Sequence, residues 1–437
     1  MVENIHRRSF VKTASVGFVA GMMANDALSQ AAGANKKLVV GLIGCGGRGT
    51  HDAGLFQKMP DVEVAYVADV DQNRLHDTAK KLNVPPKQAV SDMRRILDDK
   101  LVDAVIVATP DHWHSPAAIL ACDAGKHVYV EKPISHNIRE GRLLIEAAQR
   151  NQVHVQHGTQ CRSTGMMQEA VKLLHDGIIG EVLVAKCWNI QRRGPLGRGQ
   201  DTQPPAELDY DNWVGPAPRI PYRTNRVHER WTWWYHFGTG DMGNDGVHDI
   251  DYTRWGLGVN THPTKIVALG GRFVFDDDGE FPDTQQVTFE YPGDGKSSRN
   301  RLLIYEQRLW ATNYPHNCDS GAEFYGTKGQ MFLSRRGKIE VQGDRNSPVP
   351  ISVKPEGQND AAHVQNFCDT IRGKGKLTAD PVTGHLSTSL CHLGNIATRL
   401  GRSLIFDPQT EQIQGDDEAN ALVRRQYRDH WGTPRGA

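Results

Sequence analysis

Four stretches of this chain carry residue types at spacings that suit redox chemistry on a bound nucleotide. Gly44, Gly46 and Gly49, within Gly44-Cys45-Gly46-Gly47-Arg48-Gly49, make G-x-G-x-x-G behind the apolar run Leu38–Ile43. The first glycine permits a tight turn, the second lets a pyrophosphate approach the main chain, and the third lets strand and helix pack closely. An anion then rests on the free N–H groups of a helix N-terminus, with Gly47 and Arg48 beside it. Asp69 ends the next apolar run, about twenty residues on. Its carboxylate would accept from ribose hydroxyls and repel a 2′-phosphate, so NAD is expected rather than NADP.

The second stretch is Thr109-Pro110-Asp111-His112-Trp113-His114, which leaves a third apolar run at its carboxyl end, the edge where doubly wound sheets bind ligands. Thr109, Pro110, His112 and His114 are cofactor-side candidates. His-x-His can chelate, but no third ligand follows nearby, so no metal is expected. Glu131-Lys132-Pro133, the third stretch, follows a fourth run. Pro133 marks the strand's end, and Lys132 there can reach a nicotinamide edge and a substrate hydroxyl, with Glu131 beside it. The fourth stretch is Asn244-Asp245-Gly246-Val247-His248. On a helix His248 shares a face with Asn244 and Asp245, and its imidazole is the best acid or base of the set. Asn244 can orient a sugar or the imidazole but cannot take a proton, and Asp245 can assist electrostatically. Gln160 and Arg162 border the expected nicotinamide position. Tyr235 and the tryptophans before it suit sugar faces, although most of these aromatics read as core, and Arg192 and Arg193 as a solvated loop.

The elements that must position these groups are legible as a pattern. Strands are expected over 38–43, 62–69, 103–109 and 127–130, with helices over 73–82, 115–124 and 138–150. This alternation implies an α/β fold whose first domain, 36–157, is a doubly wound parallel sheet. From 158 to 437 the texture becomes α+β, with strands over 182–188, 265–275, 285–291, 302–305 and 330–333 and helices over 361–372 and 386–400.

The bulk of the chain narrows its class. It has 437 residues, no formal net charge and seven scattered cysteines with no Cys-x-x-Cys pair. Neutrality argues against a nucleic-acid or anionic-membrane partner. Arg7-Arg8-Ser9-Phe10-Val11-Lys12, an apolar run from Thr13 to Ala24, and then small residues form a twin-arginine export signal over 1–34. The run is too short to span a bilayer as an ordinary helix. A soluble periplasmic enzyme, delivered by the twin-arginine machinery, is expected. A retained signal would instead tether it to the inner membrane.

The glycine loop with Asp69, Thr109-Pro110, Glu131-Lys132-Pro133 and the later His248 resemble the Gfo/Idh/MocA oxidoreductases from Lys37 to Pro434. The resemblance implies a Rossmann domain followed by an open-faced sheet domain, with the active site between them and a homo-oligomer built on the open sheet. It implies that Lys132 contacts substrate and nicotinamide ribose, and that the Lys132–Pro133 peptide is cis. In related dehydrogenases an Asp stands where this chain has Asn244, which departs from the usual proton relay. The expected activity is oxidation of a sugar or polyol hydroxyl with NAD. Export removes access to a free nicotinamide pool, so the NAD would be held and recycled. The alternatives are a redox-assisted glycoside hydrolase and a non-catalytic sugar- or nucleotide-binding protein.

Overall fold

The computed structural model describes residues 37–228, 230–293 and 299–437; the expected export signal over 1–34 lies outside the described residues. The apolar runs of the first part lack alternation because parallel strands bury both faces. In order they give β1 (Leu38–Ile43), α1 (Gly47–Gln57), β2 (Val62–Ala68), α2 (Gln72–Lys81), β3 (Ala89–Val90), α3 (Arg94–Asp98), β4 (Ala104–Val107), α4 (Asp111–Asp123), β5 (His127–Val130), α5 (Ile138–Arg150) and β6 (Val155–His157). The strands pair in parallel in the order β3-β2-β1-β4-β5-β6. The order therefore reverses between β1 and β4, opening the crevice in which such sheets bind ligands. The short β3 and β6 were not expected, because an apolar pattern of two or three residues carries no period. Helix α4 starts at Asp111 rather than Ser115: Pro110 is its extended N-cap, and an acid in the first turn suits the helix dipole.

The second part contains α6 (Gly165–His175), β7 (Val182–Asn189), α7 (Tyr210–Val214), α8 (Val247–Leu257), β8 (Lys265–Gly271), β9 (Thr284–Tyr291), β10 (Arg301–Arg308), β11 (Ser320–Gly326), β12 (Gly329–Ser334), β13 (Lys338–Gln342), α9 (Asp360–Ile371), α10 (Pro381–Leu400), β14 (Leu404–Asp407), β15 (Gln412–Ile413) and α11 (Asp417–Val423). A nine-stranded sheet runs β13-β12-β11-β7-β10-β9-β8-β14-β15. Only β7 and β10 pair in parallel. One face packs on α6, α8 and α10 around Leu174, Ile250, Phe289 and Leu390. The strand expected to run to 275 ends at Gly271, because the next residues wrap a carboxylate. Asp283 accepts from the N–H groups of Phe273, Val274 and Phe275 at 3.1, 3.0 and 2.9 Å.

The C-terminal third is not confined to the second domain. Val364 and Phe367 of α9 join the core of the first sheet beside Phe56 and Tyr129, with Phe56 and Phe367 edge to face at 6.0 Å. Helix α10 lies against α5, so closely that a Cβ on Gly141 would stand 2.3 Å from His385 Nδ1. Glu411 ties the same region together. Its carboxylate meets Nε2 of His262 at 2.9 Å and of His385 at 2.6 Å, and the Arg142 guanidinium at 2.6 Å. These two histidines and Glu411 are close enough to share a metal ion. A cation there would face Arg142 and displace satisfied hydrogen bonds, so the group reads as an interdomain clasp.

Candidate active site

A cleft of ≈ 540 Å³ runs along the carboxyl edge of the first sheet, between the two domains. The nucleotide end is built by β1, α1 and β2. Gly44 has φ +99°, and a Cβ there would strike Ala108 O at 2.6 Å; only glycine makes this turn at low cost. Gly46 and Gly47 line the cleft, and a Cβ on Gly47 would meet open space. The N-terminus of α1 has no side-chain cap, which leaves its N–H groups for an anion. Asp69 lines the same end and accepts from the N–H groups of Cys45 at 2.6 Å and Asp71 at 2.9 Å. Burial pushes its carboxyl up, and these two N–H groups oppose the shift. Thr109 Oγ1, in the cleft wall, is buried without a partner. An uncapped helix end, an open glycine loop and an acid at the end of β2 fit a dinucleotide.

Gly49 lies behind the loop, where a Cβ would sit 2.0 Å from Gly44 O. The clash is with main chain and cannot be relieved by a rotamer change. Gly49→Ala is therefore expected to weaken NADH binding about 100-fold, the upper end of an overpacking cost, in a fluorescence titration. An affinity within about threefold of the wild type would contradict this.

At the other end, β5 delivers Glu131 and Lys132, and the Lys132–Pro133 peptide is cis. His114 bridges two turns, with one ring nitrogen 2.7 Å from Pro133 O and the other 2.7 Å from Thr109 O. Glu131 is held by Arg48 Nε at 3.0 Å and Gln160 Nε2 at 2.8 Å. Burial pushes its carboxyl up, but Arg48 and Lys132 outweigh this and hold it below the ordinary range. From the second domain a π-helical turn, Met242–Gly246, runs into α8 and presents Asn244, Asp245 and His248 to the cleft. Lys132 Nζ donates to Asn244 O at 2.7 Å and to Asn244 Oδ1 at 3.1 Å. Asn244 Nδ2 donates to Asp241 at 3.1 Å, which fixes the direction of the amide. Asp245 contacts Arg193 and Arg335. Burial raises its carboxyl, yet Arg335, Lys132 and Arg193 together hold it well below the usual range. The His248 imidazolium is disfavoured by burial and then by Arg335 and Lys132. The ring is therefore neutral, with Nδ1 buried and unpartnered.

Besides Gly49, four candidates stand away from the cleft wall. His112 is buried between Trp213 and Phe237, with Nε2 2.8 Å from Trp213 O; along α4 its neighbours Asp111, Trp113 and His114 face the cleft instead. Gln160 sits behind Glu131 and Tyr129. Arg162 pairs with the buried Asp251 at 2.7 Å and lies over Trp255. Tyr235 packs on Phe281 and under Arg399. Arg193 is not a solvated loop residue, since Asp241 and Asp245 engage it. Among the lining residues that the sequence did not single out are Arg335, Gln358, His228, Trp213 and Trp431, brought in from distant segments, and Asp111. Of these only Asp111 carried a signal, its place beside Thr109-Pro110.

Part of the cleft is roofed by the chain itself. Residues 205–228 cross from the second domain: Gln72 N–H donates to Glu207 O and Asp209 N–H to Val70 O, both at 3.0 Å. His228 Nε2 lies 3.1 Å from Asp71. The C-terminal tail adds Trp431, 5.3 Å from Trp113 and under Arg94.

A doubly wound sheet with this glycine loop and acidic strand end, closed by an open-sheet domain, defines a two-domain nicotinamide-nucleotide oxidoreductase. Residues 38–159 match the NAD-binding Rossmann domain of the Gfo/Idh/MocA oxidoreductases, and 172–297 with 311–433 match that family's C-terminal α/β domain. The chain belongs to this family and is an NAD-binding oxidoreductase. It is 25% identical over 319 residues to a myo-inositol 2-dehydrogenase of Thermotoga maritima, covering 70% of this chain and 80% of that one. A glycosyl hydrolase family 109 protein of Saccharopolyspora erythraea is 31% identical over 157 residues, about a third (34%) of each chain. Among solved structures, an aldose-aldose oxidoreductase from Caulobacter crescentus, complexed with glycerol, superposes with TM-score 0.64 at 18% identity, over 85% of this chain and 100% of that one. A levoglucosan dehydrogenase complexed with NADH and levoglucosan gives 0.65 at 18% identity, over 85% and 99%. These structural likenesses show the fold.

Proposed function

We propose that this chain oxidises a hydroxyl of a sugar or polyol and keeps its nicotinamide nucleotide through the catalytic cycle. The observation that carries the reading is the convergence of Lys132, Asn244 and His248 at one end of a cleft whose other end is a dinucleotide loop. The main-chain N–H groups after Gly46 would hold the pyrophosphate and Asp69 the ribose, which disfavours a 2′-phosphate and hence NADP. When bound, the nicotinamide supplies hydride acceptance. Lys132 then holds the substrate hydroxyl, Asn244 fixes the direction of Lys132, and neutral His248 offers a hydrogen-bonding or proton-accepting imidazole. The roof formed by 205–228 and the Trp431 tail exclude water and oppose nucleotide exchange. This supports retention, as does the leader over 1–34 if it exports the folded enzyme to the periplasm.

The glycosyl hydrolase relatives support a second reading: a transient oxidation that acidifies a neighbouring C–H, permits loss of a glycosidic substituent, and is then reversed. A homo-oligomer is supported by the outer face of the second sheet. Alternate residues of β8, Val267 and Leu269, point outward, Leu269 81% exposed, with Phe273 69% exposed beyond the strand and Ile405 on β14.

Native mass spectrometry of the protein from its own source tests the whole reading. One NAD per chain, an N-terminus shortened by the leader and more than one copy are expected. Absence of nucleotide, together with no turnover of D-glucose or myo-inositol, would overturn the enzyme reading. Release of aglycone from a labelled glycoside without net NADH would select the hydrolytic variant.

A further inference from the structure

Asp111 opens α4 just past the end of β4, and Lys132 lies just past the end of the neighbouring β5. Both line the same end of the cleft. Asp111 is only 1% exposed, and the Thr239 hydroxyl donates to its Oδ2 at 2.6 Å. Thr239 leads directly into the turn that carries Asn244 and Asp245, so Asp111 sits where the edge of the first sheet meets the His248 segment.

Its surroundings set it apart from the other carboxyls at this end. Glu131 is neutralised by Arg48, and Asp245 by Arg193 and Arg335. Asp111 has no guanidinium partner among the described residues. Among the described residues, the titratable groups near enough to act on it electrostatically are Lys132, just past β5, and Cys391, from α10. A carboxylate locked to a guanidinium is a poor base, whereas one facing an ammonium in a closed site can take a proton. Asn244, which touches Lys132, cannot.

We propose that Asp111 is the proton acceptor behind Lys132. Lys132 Nζ, which here donates to Asn244, turns to Asp111 and gives it one proton as it takes the proton of the breaking substrate O–H bond, so the ammonium is restored and Asp111 becomes a neutral acid. The carbon gives up its hydride, with both electrons, to the nicotinamide. The alcohol thus becomes a carbonyl, the NAD is reduced, and every proton is placed. Burial first pushes the Asp111 carboxyl up to about 7, against the Thr239 hydroxyl and Lys132, so the group changes state where an acceptor must. The proposal rests on the reading of this cleft as an alcohol-oxidising site.

The test compares wild type, Asp111→Asn and Thr239→Val with D-glucose and myo-inositol. Asparagine keeps an oxygen for the Thr239 hydroxyl, so the domain contact survives while proton uptake does not. Single-turnover nicotinamide reduction should fall at least about 100-fold in Asp111→Asn and lose the limb that rises with pH near neutrality. Thr239→Val removes the hydroxyl that holds the Asp111 carboxyl down, so it should keep the rising limb but move it to higher pH, with a plateau loss smaller than the about 100-fold of a lost acid–base group. Independently of activity, the infrared difference between wild type and Asp111→Asn should show a carboxylic acid band that disappears as the pH passes through neutrality. Turnover of Asp111→Asn close to wild type, no band difference, or an equal loss in Thr239→Val would each overturn the assignment. If the wild type oxidises no alcohol yet shows the band, the functional reading fails, and that is visible before any variant is compared.

Discussion

Lys132→Met is expected to lower single-turnover hydride transfer about 10³-fold or more while leaving NADH affinity nearly unchanged, a loss in the range of a removed acid–base group. The separation follows from the architecture. The dinucleotide loop, Gly44 to Gly49, and Asp69 belong to β1, α1 and β2, whereas Lys132 leaves β5 at the far side of the switch point. Methionine keeps the length and apolar body of the side chain, so the loss is that of the ammonium, which in this structure donates to Asn244. Lys132→Arg should not rescue it, because a planar guanidinium that stays protonated can neither relay a proton nor fill the same point contact. Paired single-turnover and fluorescence titrations check both halves. A rate within about tenfold of the wild type, less than the smallest acid–base contribution, would remove Lys132 from the chemistry.

The half of the site that was legible in the sequence is the half built locally. The glycine loop, Asp69, Thr109 and Lys132 each sit at the end of a buried strand, so strand periodicity alone places them on one edge. Residues set by long-range packing were invisible. Arg335 reaches Asp245 across 90 residues of sequence, and Trp431 arrives with a tail of no regular pattern. His112 and His114 share a motif yet part company, because successive residues on a helix face different ways. One meets the aromatic rings of Trp213 and Phe237 and the other the cleft. Arg162 stood close to the expected nicotinamide position, but Asp251, one turn beyond His248 on α8, claims it. The same logic applies to the fold. Alternation in β8 and the continuous run of β1 were readable, while β3, β6 and β15 exist through pairing with longer neighbours.

Acid should destabilise the folded chain steeply, because the interior holds many uncharged histidines. Burial, in each case the largest cause, lowers His112, His157 and His392 to about 3 and His363 and His385 to about 4. The ordinary histidine value is about 6.5. Between these limits the unfolded chain binds more protons than the folded one, so stability falls as the pH falls. Asp111 and Asp249 work against this. Burial raises both to about 7, so over the same window the folded state binds their protons first and gains stability on acidification. Downward-shifted His114, His136 and His248 are set against upward-shifted Asp52, Asp69 and Asp241 in the same two senses. His127, lowered to about 4 chiefly by burial, joins the histidines, which outnumber the raised carboxyls, so the slope near pH 5 is on the order of a few kcal/mol per pH unit. Against a domain stability on the order of 5–15 kcal/mol, a shift from pH 7 to pH 5 should bring the urea midpoint down sharply, and thermal melts should shift with it. A midpoint unchanged over that interval would mean that the buried imidazoles are protonated, or the raised carboxyls ionised, in the folded protein.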